Sequence, residues 1–272
     1  MDEWFSEEIL ITVRAYPEPS QKYIETSCVA GITSSGHPIR LFPVPARSLD
    51  EDKTFHKFSV IRAKIKKASD PRPESHRIDQ DSIQVIGHIG TDQTWSTRNE
   101  RVRPFRVAMS MEELWAQYQE NQVHGAPSLA LIRPRSLDGL FIEPKDEIDW
   151  TEEKKAHLSR KTLFDTGDRA PLEFIPYRFK YRFRCDERSC KGHAMSVVDW
   201  EMNQSYRSWF RKYGEKGWEE KFRQRYEHEF FSGSKDLQFF VGTMMQYPAN
   251  WIVIGLYYPP SPPGQHQASL PF

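Results

Sequence analysis

Tyr177-Arg178-Phe179-Lys180-Tyr181-Arg182-Phe183-Arg184 alternates an aromatic ring with a cation at every step. Successive side chains of a β-strand point to opposite faces. One face then carries Tyr177, Phe179, Tyr181 and Phe183, and the other Arg178, Lys180, Arg182 and Arg184. A period of two predicts a strand with a core side and a charged side. Four cations in a row repel one another unless they are solvated or matched to anions. A phosphate backbone is such a match, and the arginine fork meets phosphate oxygens two at a time. The same row also reads as an ordinary amphipathic strand, its basic residues in water or beside acidic neighbours.

Downstream the chain runs into Cys185-x4-Cys190-x2-His193. Two sulfurs and an imidazole at short spacing after a strand are what a zinc knuckle needs, and Lys191-Gly192 permits a tight turn. A structural zinc takes four ligands and only three are evident. Asp186, Asp199, His228 and Cys28 are candidates for the fourth, none with diagnostic spacing. The plain alternative is two free thiols and a surface histidine. Asp199-Trp200-Glu201 follows, opening a helix near Val197 to Tyr213 that would align Asp199, Met202, Tyr206, Trp209 and Tyr213 on one face. An inward carboxylate needs a partner. With His193, Asp199 and Glu201 could hold Mg²⁺ or Mn²⁺ for phosphodiester cleavage. The simpler reading is a capping box of Ser196 and Asp199. A second helix, Gly217 to Phe231, has a core stripe of Trp218, Phe222, Tyr226 and Phe230 that leaves His228 in solvent. A strand pair, Leu237–Thr243 and Trp251–Tyr257, turns at Tyr247 to Asn250, and a proline-rich tail, 259–272, reads as disordered.

Upstream, short strands dominate. Ile9–Val13 ends at Pro17 and Pro19. Glu25–Thr33 meets Pro38–Val44 across Ser34-Ser35-Gly36, which is hairpin-turn chemistry. Phe58–Ala68 places Ile61, Ala63 and Ile65 on one face and Arg62, Lys64 and Lys66 on the other, a second basic strand face. Ser82–Ile89 is a further strand. Arg72-Pro-Glu-Ser-His-Arg77 reads as a loop suited to phosphate or to a buried ion-pair corner. Ser110 and Glu113 form a capping-box signature ahead of an apolar face of Leu114, Trp115 and Tyr118. Leu129–Ile132 and Gly139–Ile142 are two more strands, and Thr151–Leu163 is helical in pattern. The fold class is therefore α+β. A small β-barrel-like domain covers 1–145, a charged connector 146–164, and an α+β domain with the Cys/His loop 165–258.

Composition narrows function mainly by exclusion. Lys+Arg and Asp+Glu both number 38 in the 272 residues, so any case for nucleic acid rests on local patches. Three cysteines fit a reducing compartment, and the cytoplasm is the expected location. No stretch approaches the roughly 18 apolar residues of a membrane span. No Walker, dinucleotide or Gly-x-Ser-x-Gly pattern occurs.

The run Cys28-Val-Ala-Gly-Ile-Thr, a polar turn, then Ile39-Arg40-Leu-Phe-Pro-Val resembles a signature of uncharacterised bacterial proteins with tandem OB folds, departing from it by Leu41-Phe42 before the proline. RPESHRID, RFRCDERSCKGH, VDWE and FFVGT with WIVIGLYYPP look like runs of another uncharacterised bacterial group. The resemblance implies oligonucleotide-binding barrels in a defence or mobile-element setting.

The leading expectation is binding of DNA or RNA, as a single strand, by Arg62, Lys64, Lys66, Arg178, Lys180, Arg182 and Arg184, with zinc on Cys185, Cys190 and His193. The alternatives are a metal-dependent nuclease using His193, Asp199 and Glu201, and a scaffold subunit of a larger complex.

Overall fold

The computed structural model describes residues 3–160, 171–262 and 268–269. Its N-terminal strands are β1 (Phe5–Arg14), β2 (Glu18–Ser20), β3 (Ile24–Thr33), β4 (Pro38–Val44), β5 (Ser59–Lys67), β6 (Ser75–Ile78) and β7 (Gln84–His88). Hydrogen bonding runs β1-β3-β4-β6-β5 and returns from β5 to β1, closing a five-stranded barrel. β4 and β6 pair in parallel; the other neighbours in the ring are antiparallel. That is a five-stranded, Greek-key, OB-like barrel. Its interior is apolar, with Ile9, Ile11, Val29, Leu41, Ile61 and Ile65 buried.

The two barrel walls differ, and the sequence pattern shows why. β5 alternates strictly, with Ile61, Ala63 and Ile65 inside and Arg62 and Lys64 in solvent, because its outer side meets water. β1 and β3 are apolar on both faces. Their outer residues Leu10, Ala30 and Ile32 pack in a second core with Phe58, Leu131, Phe240 and Ile254. The second half of the chain therefore covers the β1–β3 wall.

That half contains α1 (Ser96–Arg101), α2 (Met111–Gly125), β8 (Leu129–Ile132), β9 (Ser136–Pro144), α3 (Glu152–Leu158), β10 (Tyr177–Arg184), β11 (His193–Ser196), α4 (Trp200–Tyr213), α5 (Trp218–Arg223), β12 (Gln238–Thr243), β13 (Trp251–Tyr257) and β14 (Ala268–Ser269). One sheet runs β13-β12-β8 and another β11-β10-β9-β14. The segment 129–144, grouped above with the N-terminal barrel, thus pairs with strands of the second half. α4, α5 and the π-helical turn Gln224–Glu229 pack their rings on β10. No helix among the described residues is long and apolar enough to cross a membrane.

Local expectations differ from the structure at several points. The expected loop 72–77 runs from Ser75 into β6, the strand that completes the barrel. Ser110 Oγ accepts from Glu113 N at 3.0 Å, but Glu113 reaches back to Met109 N rather than to Ser110. Trp115 is 49% exposed; Met111 and Leu114 are the buried residues of α2. Asp199 is itself the N-cap of α4, accepting from Met202 N at 3.0 Å, while Ser196 belongs to β11. Thr151 caps α3, which ends at Leu158, and 161–163 of the expected helix lie outside the described residues. So do 263–267 and 270–272 of the tail.

Gly31 marks the tightest approach within the barrel. A Cβ there would overlap the carbonyl oxygen of Leu10 and lie 2.8 Å from Ile9 Cγ2. Backbone cannot yield as a flexible side chain can. Gly31→Ala is expected to destabilise by ~1–3 kcal/mol, read as a lower urea midpoint at unchanged slope.

Candidate functional site

β10 is a strand as its period requires. Phe179, Tyr181 and Phe183 are buried, while Arg178 and Arg182 stand in solvent. Its cations are not all free. Antiparallel β9 brings Glu143 within 2.6 Å of Lys180 Nζ and Asp138 within 3.2 Å of Arg184 Nε. Arg182 lies over the Phe141 ring at 4.5 Å. Arg178 makes no ion pair among the described residues. Two of the four charges are therefore met by carboxylates of the neighbouring strand.

The β5 row is more open. Arg62 pairs with Glu8 at 2.6 Å, both half-exposed, a contact of small net worth. Lys64 makes no ion pair among the described residues, although Asp79 follows β6 nearby and donates its backbone N–H to Lys64 O. Lys66 sits over Trp4, its Nζ 5.0 Å from the ring centre, and Trp4 is 41% exposed. Across the strand pair, Lys66 stands opposite Arg77. The outward surface therefore joins Lys64, Lys66 and Arg77 to an exposed indole.

The strands that would be second and third in an OB barrel, β3 and β4, present no such surface. β4 turns Arg40 outward, where it is 2% exposed. Arg40 donates to Thr243 O at 2.9 Å and to Ser128 O at 2.7 Å, riveting the barrel to β12 and the start of β8. Arg72 donates to the same Thr243 carbonyl and pairs with Asp70. The 72–77 segment is thus a buried ion-pair corner at its start and a strand at its end.

Past β10 the chain gathers Cys185, Cys190 and His193, and α2 delivers a fourth donor, Glu112. One ligand atom from each lies within 4.8 Å of all the others, so the group could hold a metal ion. His193 Nε2 is 3.3 Å from Cys190 Sγ and 3.1 Å from Glu112 Oε1. Cys185 Sγ accepts from Met111 N, and Cys190 Sγ from Cys185 N, both at 3.3 Å. Burial pushes the Cys185 thiol up to about 12, opposed by the Met111 N–H and reinforced by Glu112 and Cys190. Burial also works to raise Glu112, but hydrogen bonding from Cys190 and the nearby His193 outweigh it and leave this carboxyl below its usual range. Of the fourth-ligand candidates named from sequence, none joins the group.

The residues named for a nuclease are not brought together in this way. His193 faces the cysteines. Asp199 is engaged by Met202 N, by Leu256 N at 3.2 Å and by Lys57 at 3.2 Å, and Glu201 shares the same lysine.

Fold and site together define an α+β protein in which an OB-like barrel is joined to a second half carrying a Glu/Cys/Cys/His cluster. The chain belongs to the family described as Domain of unknown function (DUF8757), whose model matches residues 107–271. A second model, Domain of unknown function (DUF8758), matches residues 5–104. No curated protein matches. Among solved structures, a murine DNA-binding protein bound with double-stranded DNA aligns over 100% of this chain and 99% of its own, at 10% identity and a TM-score of 0.32, too loose a superposition to establish a shared fold.

Proposed function

We propose that the protein binds nucleic acid, DNA or RNA in single-stranded form, along the open wall of its barrel. The observation that carries this reading is the outward row of Lys64, Lys66 and Arg77, with Lys66 lying over the exposed ring of Trp4. Single strands are held by a positive track beside aromatic faces on which bases stack. The β3–β4 wall, the usual oligonucleotide face of an OB barrel, is covered by the second half at Ala30, Ile32 and Arg40, with Phe42 left exposed, so the β5 wall carries the barrel's accessible basic surface. Arg62 joins it on releasing Glu8, and Arg178 and Arg182 extend the contact if the strand runs on to β10. Lys180 and Arg184 contribute only by exchanging Glu143 and Asp138 for phosphate. In this reading Cys185, Cys190 and His193 hold zinc and fix the loop that follows β10.

Fluorescence anisotropy with a labelled oligo-dT, an oligo-U and a duplex at two salt concentrations tests the proposal. Binding should weaken with salt and favour single strands. Reversing Lys64, Lys66 and Arg77 to Glu should cost at least ~tenfold in affinity and flatten the salt slope by about 2, given some 0.7 per phosphate contact for single strands. Trp4→Ala should cost ~1–3 kcal/mol. Salt-independent retention, or a triple variant that binds like the native chain, would remove the claim. Duplex bound equally well would remove the strand preference.

A further inference from the structure

We infer that Glu112 is the fourth protein ligand of a closed zinc site with Cys185, Cys190 and His193, and that the ion clamps the first turn of α2 onto the β10–β11 hairpin. The inference rests on the zinc reading above and adds to it a ligand, a coordination state and a mechanical role.

Four observations converge. The donor set is two sulfurs, one imidazole nitrogen and one carboxylate oxygen, a combination that zinc accepts and that harder ions such as Mg²⁺ or Ca²⁺ do not. All its donor atoms lie within 4.8 Å of one another. Zinc bond lengths of about 2.0–2.3 Å set donor–donor distances of roughly 3.3–3.8 Å in a tetrahedron, and the separations here include 3.1 and 3.3 Å. Side-chain adjustments of about an ångström would bring the set to that spacing round an ion. Each sulfur also accepts one backbone N–H. Such outer donors orient thiolates and stabilise their charge. Finally, Glu112 Oε2 is buried and has no hydrogen-bond partner among the described residues. A buried carboxylate oxygen without a partner is costly, and a cation beside the carboxylate would offset that cost.

The elements supplying the donors explain the mechanical role. Cys185 directly follows β10 and His193 opens β11, so the hairpin alone positions three ligands. Glu112 arrives from the first turn of α2, whose Ser110 cap and Met111 N–H fix the direction of approach. With four protein donors no position remains for a reactive water. The expected role is structural, since catalytic zinc keeps one position open.

The test uses the full chain. Metal analysis of native protein should find one zinc per chain, absent from Cys190→Ser. Competition with a chromophoric chelator should find Glu112→Ala weaker for zinc by at least the roughly 10–100-fold seen when even an outer partner of a zinc ligand is lost. Cobalt substitution separates ligand from neighbour. The native Co²⁺ protein should show thiolate charge-transfer bands and intense four-coordinate visible bands unmoved by azide, whereas Glu112→Ala should respond to azide through its opened position. Glu112→Gln, which keeps the shape of the side chain, guards against misfolding as the cause. Hydrogen exchange at Met111 to Leu114 should quicken on chelation. Zinc bound equally well by native chain and Glu112→Ala, with no response to azide, overturns the ligand assignment and leaves the zinc reading standing. Native protein that takes up neither zinc nor cobalt overturns both.

Discussion

Lys57→Met is expected to lower the stability of the folded chain by ~3–5 kcal/mol, the usual effect of stripping one partner from a buried ion pair. Lys57 leaves the barrel just before β5, and its side chain is 9% exposed. Its ammonium donates to Asp199 Oδ2 and Glu201 Oε2, each at 3.2 Å, and to Leu256 O at 2.8 Å. Burial alone would favour the neutral amine; Asp199, Glu201 and the hydrogen bonds raise the group well above the ordinary lysine value instead, so it stays charged. Asp199 is the harder side to rescue. Its side chain is 2% exposed, and without Lys57 its charge is left with only the amides of Met202 and Leu256. The loss also falls on the seam between halves, where Tyr16 N donates to Val198 O at 2.7 Å. Urea unfolding of Lys57→Met, Asp199→Asn and the double variant measures it. Asp199→Asn keeps an oxygen for the α4 cap and removes the charge, so the double variant should recover part of the loss. Strict additivity of the two single changes would show that no coupling exists.

The strands and helices legible in sequence are those whose pattern is set by one water-facing side. β5 and β10 read correctly because their outer faces are solvated, and the stripe Trp218, Phe222, Tyr226 and Phe230 because α5 and the turn after it bury one face. β6 escaped because it is four residues long, Ser75–Ile78, and earns its place by pairing with β4 and β5, which no local period records. The acidic partners of β10 escaped for a related reason. Glu143 stands opposite Arg178 and reaches Lys180 diagonally, and Asp138 lies at the β9 irregularity beside Arg184; both meetings come from the β9–β10 register, and register is tertiary information. The candidate site divides the same way. Cys185, Cys190 and His193 are close in sequence and could be grouped by spacing. Glu112 sits in the first turn of a helix, where a carboxylate is expected for the helix dipole alone. Its neighbour Met111 meets Cys185 across 74 positions. The one hint was the capping pair Ser110 and Glu113, which fixes where α2 begins and so where Glu112 points.

Phe222→Ala is expected to cost ~3–5 kcal/mol, the range for a large aromatic removed from a closed core. Phe222 is fully buried. Its ring stacks on Phe179 of β10 at 4.5 Å and 25°, and meets Trp218, Trp209 and Tyr226 at 5.7, 6.2 and 4.9 Å. It therefore joins the helical layer to the strand that leads into Cys185. Neighbouring indoles are too large and too constrained to refill the space, so most of the cavity should persist. Phe222→Leu keeps apolar volume but loses the ring contacts, worth ~0.5–1.5 kcal/mol per pair, and should fall between native and Ala. Urea midpoints at unchanged slope rank the three proteins. The barrel core does not include Phe222, so a comparison of hydrogen exchange separates local from global effects. Protection should fall first in β10 and α4, with β3 and β5 following only at global unfolding. Loss in the barrel strands at the same rate under native conditions would mean that the two halves unfold as one unit, and that the seam at Lys57 and Arg40 binds them more tightly than the separate cores suggest.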